Sequence, residues 1–455
     1  MLKVGASRVC MNPPADLFPT PDHRNFEGMY NDMFCRAIAV EQGESRLLFV
    51  TWETERVPYI PDLTAQIARA AGYPEEAVVL AATDNHTSIS DHHVGNGAEQ
   101  LTPEVERMRS RWMETEVRVG IEAAVTAVKD LRPARYGYGE GESYINTNIN
   151  LQTPYGFWVE SPNPKGFSDK TLAVIKFVDE QDGKLIAALV NYPTPAIMGF
   201  LARDFDHKRK CSGNFCGIAC RFAEQYYGQD AVVMWTYGAG GNQGLIHHVG
   251  SLRYEYPDGY TTQVPYPDGI VFMQMESLGR IHGADIVECL NNITRYSQRM
   301  PVRIAAKSVM LPTRRRVETG NGNPPFRMGG TGLRPADIPY GQVGPVPKPP
   351  LTEPDPEHPA ELKMGVILLG DIAIVTVNVE LYAEIGRAIK EASPYKKTFV
   401  LTAEKDFDKV ICVVDKSSVN AEVFNAYSPI MVIPGSSDEL IVNCALELLD
   451  QALDA

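Results

Sequence analysis

Short runs of uninterrupted apolar residues, each followed by a stretch with helical spacing, set the terms for what this chain can fold into. Leu47-Leu48-Phe49-Val50-Thr51-Trp52 reads as a buried strand, with a helical pattern after it over residues 61–71. A second strand, residues 77–82, ends in the polar cluster Thr83-Asp84-Asn85-His86. Apolar residues three and four apart then predict a long helix over 103–131. Strands follow at 172–178 and 185–192, a helix at 215–227, and a strand at 231–236 that runs into Tyr237-Gly238-Ala239-Gly240-Gly241-Asn242. After a helix at 275–290, residues 364–377 read as a hairpin turning at Gly370-Asp371. Residues 380–390 read as helical, and the strand-rich tail closes with a helix at 439–453. This alternation predicts an α/β class: mixed β-sheets with flanking helices, arranged in layers.

A hydrophobic fraction of 44% in 455 residues is ample for a large core, and residues 1–455 are expected to form a single large domain. Residues 319–359 break the pattern: they are dense in Gly and Pro without periodicity, and read as an irregular excursion. A lid over a site, a surface wrap and an oligomer arm all suit such a segment, so a homo-oligomer stays open. The formal charge of −14 argues against a phosphate-backbone binder, and Arg314, Arg315 and Arg316, the one basic run of note, read as a solvated strand end. No stretch approaches the roughly 18–20 apolar residues of a membrane span; the most apolar one, 364–379, is interrupted by Gly370, Asp371 and Asn378. With no apolar leader at the start and eight sparse cysteines, a cytoplasmic location with free thiols is the expectation.

Four clusters sit where strands run out into loops, which is where open α/β sheets place ligands. Asp84, His86, Asp91, His92 and His93 follow a buried strand and offer carboxylate and imidazole metal ligands, with His207 able to join from far along the chain. The plain alternative is a loop whose Asp and His side chains cap turns. Asp204-Phe205-Asp206-His207 precedes Cys211, Cys216 and Cys220; their spacings of 4, 5 and 4 are not those of a zinc knuckle, and the cysteines read as buried thiols packing like small hydrophobes. The Gly238–Gly244 run offers backbone N–H groups to an anion or oxyanion, and His247 and His248 follow it. Asn378-Val379-Glu380 ends an apolar strand; Glu380 suits either a first-turn helix acid or a metal-ligating or general-base carboxylate.

Taken in order, these segments resemble the N-terminal domain of the neutral/alkaline non-lysosomal ceramidase family. LKVGASRVCMNPP is similar to that family's opening strand and turn, RLLFVTWET to its second strand, and AATDNHTS stands where the family carries S-H-T-H-S-G. LVNYPTPAIM lies where it has a strand ending in H-P-T, CSGNFCG where it has S-A-D-F-P-G, and YGAGGNQG resembles G-A-x-G-D-x-N-P. GDIAIVTVNVELYAEIGRAIK resembles its strand ending in P-G-E and the helix beyond. The resemblance implies the family's fold and a zinc amidase site, in which metal-bound water attacks an amide carbonyl. In the family, zinc is held by the first His of H-T-H, the His of H-P-T, the Glu of P-G-E and a later Tyr. Carried over, the first position is Asp84, the substrate-contacting second His is His86, and the glutamate is Glu380. The H-P-T histidine is missing from Tyr192-Pro193-Thr194-Pro195, the tyrosine loop appears at 405–409 without a tyrosine, a family arginine falls near Asn148, and two family aspartates become Asn214 and Asn242.

The reading is therefore a hydrolase of a small polar amide, ester or sugar derivative working at a divalent metal, zinc first with manganese or iron behind it. Asp84 and Glu380 would hold the metal with His207 or His86 as third ligand. His86 or His93 would serve as acid/base, and Tyr237, Gly240 and the turn to Gly241 would line the pocket. Two alternatives stand beside it. One is a metal-free carbohydrate-active lyase or hydrolase using His86 with Asn148, Asn214 and Asn242; the other is a non-catalytic ligand-binding protein on the same scaffold.

Overall fold

The computed structural model describes residues 1–90, 102–152, 158–200, 202–228, 230–247, 251–255, 261–316, 352–403, 412–418 and 431–454. Its frame is an eight-stranded sheet in the order Val232–Tyr237, Leu185–Tyr192, Thr171–Asp179, Arg132–Glu142, Leu2–Cys10, Phe34–Gln42, Ser45–Trp52, Val78–Ala82. The pair at each end of that order is parallel and every pair between is antiparallel. The sheet curls back on itself, so its two edge strands, Val232–Tyr237 and Val78–Ala82, approach one another. That closure brings together the loops that follow them.

A second sheet, in the order Val302–Leu311, Ala360–Leu369, Ile372–Val377, Lys397–Thr402, packs on the first. Leu2, Val4, Ile38 and Phe49 from one sheet meet Ile367, Ile374 and Phe399 from the other in a shared core. The outer face of the large sheet is covered by the helices Pro103–Lys129, Asn214–Tyr227 and Ile270–Asn292. The outer face of the smaller sheet is covered by Ala383–Ala392 and Ser436–Asp454. Apolar surface on both faces of both sheets is thereby buried in a helix–sheet–sheet–helix stack, as the continuous apolar runs require.

Three local outcomes differ from the sequence reading or refine it. Arg132–Glu142, RPARYGYGEGE, is an eleven-residue strand although its glycines disfavour one. Side chains there would strike the helix lying across it: a Cβ on Gly139 would stand 2.6 Å from Ile293 Cγ1, and one on Gly141 3.3 Å from Cys289 Cβ. Glu380 is not a first-turn helix residue. It pairs in a two-residue strand, Glu380–Leu381, with Cys412–Val413, and the helix starts at Ala383. The hairpin turn is where expected, with Gly370 at φ +64°. Of the 319–359 excursion, Thr352–Pro354 is a strand on Thr313–Arg316, with Arg315 paired to Glu353; residues 317–351 lie outside the described residues.

Candidate active site

The site is built at the carboxyl ends of three strands. Val78–Ala82 leads into Asp84, whose φ of +57° turns the chain sharply; aspartate tolerates this left-handed geometry better than most side chains. Backbone bonds then stitch the loop in place: Thr83 N–H to Trp52 O at 3.0 Å, Asn85 N–H to Thr54 O at 2.9 Å, and His86 N–H to Ala196 O at 3.0 Å. Val232–Tyr237 delivers Tyr237, and Ile372–Val377 delivers Glu380 just beyond it. The carboxylates of Glu380 and Asp84 both act on the Tyr237 hydroxyl, so the three groups share one neighbourhood. Burial first, and then those two charges and Cys412, push the phenol well above its usual range and keep it protonated.

His86 stands at the mouth of this group. Its side chain is 21% exposed while Asp84 beneath it is 3% exposed, and Nε2 lies 3.6 Å from Asp84 Oδ1, an ion-pair distance rather than a full hydrogen bond. Burial works against its charged form, but the Glu55 carboxylate and Asp84 outweigh it, and the imidazole titrates above its usual value. Glu55 is in turn ion-paired with Arg24. Although burial opposes its charge, Arg24, His86 and Arg56 hold its carboxyl well below the ordinary range. Arg24 also donates to Ser88 O at 2.7 Å and lies 5.3 Å from the Phe200 ring, which meets His86 edge-on at 5.8 Å. The result is an imidazole braced by two carboxylates that favour its charged form.

Other residues singled out in the sequence hold the loops in place. Asn214, fully buried at φ +57°, donates to Ala196 O at 2.9 Å, Met198 O at 2.8 Å and Thr87 Oγ1 at 3.0 Å, tying two loops to the helix that begins there. Asn242 Oδ1 accepts the Ala383 N–H at 2.9 Å and so caps a helix distant in sequence, while its Nδ2 donates to Glu384 at 2.7 Å. Asn148 donates to Phe167 O at 3.0 Å and accepts from Asn150 N–H at 2.9 Å. Each of these amides is engaged by the protein. The glycine turn is also spent inward: Gly238 N–H bonds Tyr192 O at 3.1 Å and Gly241 N–H bonds Leu381 O at 2.9 Å. Gly240 is glycine because a Cβ there would stand 2.7 Å from Tyr237 Cε2 and 2.8 Å from the Pro193 carbonyl carbon.

Among the described residues the expected zinc set does not assemble. His207 is 81% exposed, with Nδ1 2.6 Å from Asp268 Oδ2, and His86 is turned to Asp84. Among the described residues, no three His, Cys, Asp or Glu side chains are gathered to hold a metal ion. Asp84, Glu380 and the Tyr237 phenol offer oxygen donors, and the His86 imidazole beside Asp84 is the nitrogen donor brought near them. Asp91, His92, His93, His248 and the 405–409 loop lie outside the described residues. Cys211, Cys216 and Cys220 are buried thiols, all pushed up by burial, Cys220 to about 12, as inert packing groups would be. Sequence reasoning missed Glu55 and Arg24. Glu53-Thr54-Glu55-Arg56 follows the strand Ser45–Trp52 just as the Asp84 cluster follows Val78–Ala82, and that shared position was the available signal.

A two-sheet, helix-covered α/β scaffold with carboxylates, a phenol and an imidazole gathered at strand ends defines the class. Within it, the chain has the fold of the ceramidases. It superposes on neutral ceramidase from Pseudomonas aeruginosa with a TM-score of 0.66 at 17% identity, covering 99% of this chain and 75% of that one. A ceramidase complexed with C2 gives a TM-score of 0.65 at 17% identity over the same shares. No family profile and no curated protein matches the sequence. At this identity the likeness is one of fold. Among the described residues, no helix is long and apolar enough to cross a membrane.

Proposed function

We propose that this chain is a hydrolase of a small polar substrate bearing an amide, ester or sugar linkage, working at Asp84, His86, Tyr237 and Glu380. The observation that carries the reading is the convergence of Asp84 and Glu380 on the Tyr237 hydroxyl beneath a partly exposed His86 that titrates above its usual value. Perturbed titrations of neighbouring groups at strand ends are a mark of acid–base sites. In this reading His86 enters as the imidazolium and donates its proton to the leaving group. Glu380, less buried than Asp84, takes the proton of the attacking water. Tyr237 stays protonated beside the two carboxylates, and Asp84 with Glu55 favours the charged imidazole. The ceramidase fold supports hydrolytic chemistry as the kind of reaction. Among the described residues no three His, Cys, Asp or Glu side chains are gathered for a metal ion, and these residue roles route no step through one.

The test is incubation with a panel of N-acyl amines, short-chain esters and N-acylated amino sugars in water enriched in oxygen-18. One labelled oxygen in the acid or sugar product identifies hydrolysis. Unlabelled unsaturated products would identify a lyase instead, and saturable binding with no product would point to a binding protein.

A further inference from the structure

His86 is tied firmly at its backbone and lightly at its ring. Its N–H bonds Ala196 O at 3.0 Å, whereas Nε2 stops 3.6 Å from Asp84 Oδ1, beyond hydrogen-bond range, and the side chain is 21% exposed. An imidazole held so lightly can turn about its side-chain torsions toward solvent unless packing blocks the way. The group that packs against it is Phe200, a half-buried side chain. Its ring meets the imidazole edge to face, with centroids 5.8 Å apart and planes at 86°, a favoured arrangement for two aromatic rings.

Phe200 is itself well fixed. The chain leading to it is pinned by Asn214, which donates to Ala196 O and Met198 O; Ala196 O also takes the His86 N–H, so ring and imidazole hang from one frame. Gly199 then turns the chain at φ +79°, where a Cβ would stand 3.1 Å from Thr87 Cγ2. Over the ring lies the Arg24 guanidinium, 5.3 Å from the centroid and held by its pair with Glu55 and its bond to Ser88 O. His23 meets the ring at 6.3 Å, and Arg209 clasps the His23 and Arg24 carbonyls at 3.1 Å each. The ring therefore neighbours both Arg24 and the imidazole, two groups that repel when both are charged.

We infer that Phe200 is the positioning residue of His86: its ring stops the imidazole from turning away from Asp84. The effect on rate rests on the hydrolase reading, whereas the orientation of the imidazole is read without turnover. Phe200→Leu and Phe200→Met remove the ring, and Phe200→Tyr keeps it. With parental circular dichroism, the ring-free variants should lose about tenfold or more in kcat with KM nearly unchanged, as for a displaced catalytic group, and Phe200→Tyr should keep most of the rate. In a His86→Gln background Phe200→Leu should cost nothing further, because the ring acts through the imidazole. Nuclear magnetic resonance on the full chain carrying carbon-13-labelled histidine gives the second readout, with the His86 signal assigned by its absence in His86→Gln. The order parameter of the His86 ring should fall in Phe200→Leu and Phe200→Met and hold in Phe200→Tyr. Parental kcat in both ring-free variants, a loss in Phe200→Tyr as large as theirs, a further loss in the His86→Gln background, or an unchanged order parameter would overturn the inference. If the parent hydrolyses nothing on the panel while the order parameter still falls, the hydrolase reading goes and the positioning of the imidazole stands.

Discussion

Substituting one hydrogen in the glycine turn tests how tightly the site depends on its frame. Gly240→Ala places a Cβ 2.7 Å from Tyr237 Cε2 on one side and 2.8 Å from the Pro193 carbonyl carbon on the other. Ordinary carbon–carbon contact lies near 3.5 Å, so the ring must retreat by roughly 0.8 Å, because the Pro193 backbone cannot. Overpacking of this kind costs about 1–3 kcal/mol. An unfolding entropy of roughly 2.1 cal/mol/K per residue, taken over this chain, makes that a fall of about 1–3 °C in melting temperature. The rate should suffer more: a displacement near 1 Å of a positioned catalytic group costs on the order of 10²-fold. Gly28→Ala, where a Cβ meets nothing within 4 Å, is the control. Calorimetry and turnover on the best substrate of the panel read both effects. If Gly240→Ala melted and turned over like Gly28→Ala, the claim that the turn positions Tyr237 by close packing would be refuted.

Asn214→Ala should cost roughly 3–5 kcal/mol in urea unfolding, since it strips two buried carbonyls of their partner and leaves alanine at positive φ. Because protonated His86 is the proposed acid, kcat/KM should fall as pH rises through its folded-state value, which lies above 6.5. Glu55→Gln removes the strongest opposing charge, so that alkaline limb should move to lower pH; an unmoved limb would take His86 out of the acid role. The same pairing contributes stability that is present in full below about pH 6.5 and is lost as pH rises through the raised value. Chelator treatment should leave turnover unchanged. Elemental analysis finding one zinc, manganese or iron per chain, lost in the Asp84→Ala/Glu380→Ala double variant, would restore the metallohydrolase reading.

Much of the architecture was legible because its signals are local. Continuous apolar runs such as Leu47-Leu48-Phe49-Val50 demand cover on both faces, and the hairpin at Gly370 carries its own turn chemistry. Arg132–Glu142 was not legible, since its glycines are explained by a helix more than a hundred residues away in the chain. The site was half legible for the same reason. Asp84 and Glu380 are visible as acids at strand ends, but Asp84 reaches Tyr237 through the closure of a curled sheet and Glu380 from the second sheet packed on it. His207 failed because density of histidine and aspartate in sequence says nothing of direction, and the side chain points to solvent and Asp268. Asn214 and Asn242 stand where the resembling family has acids, yet their buried amides serve backbone carbonyls and a helix end.

The central claim is that Asp84, Tyr237 and Glu380 work as one unit, and kinetics on their conservative variants tests it most directly. Asp84→Asn, Glu380→Gln and Tyr237→Phe, each with parental circular dichroism, should each lose at least about 10²-fold in kcat, with combined losses far short of the product of the single ones. Full turnover in any one of them, or losses that simply multiply, would contradict it.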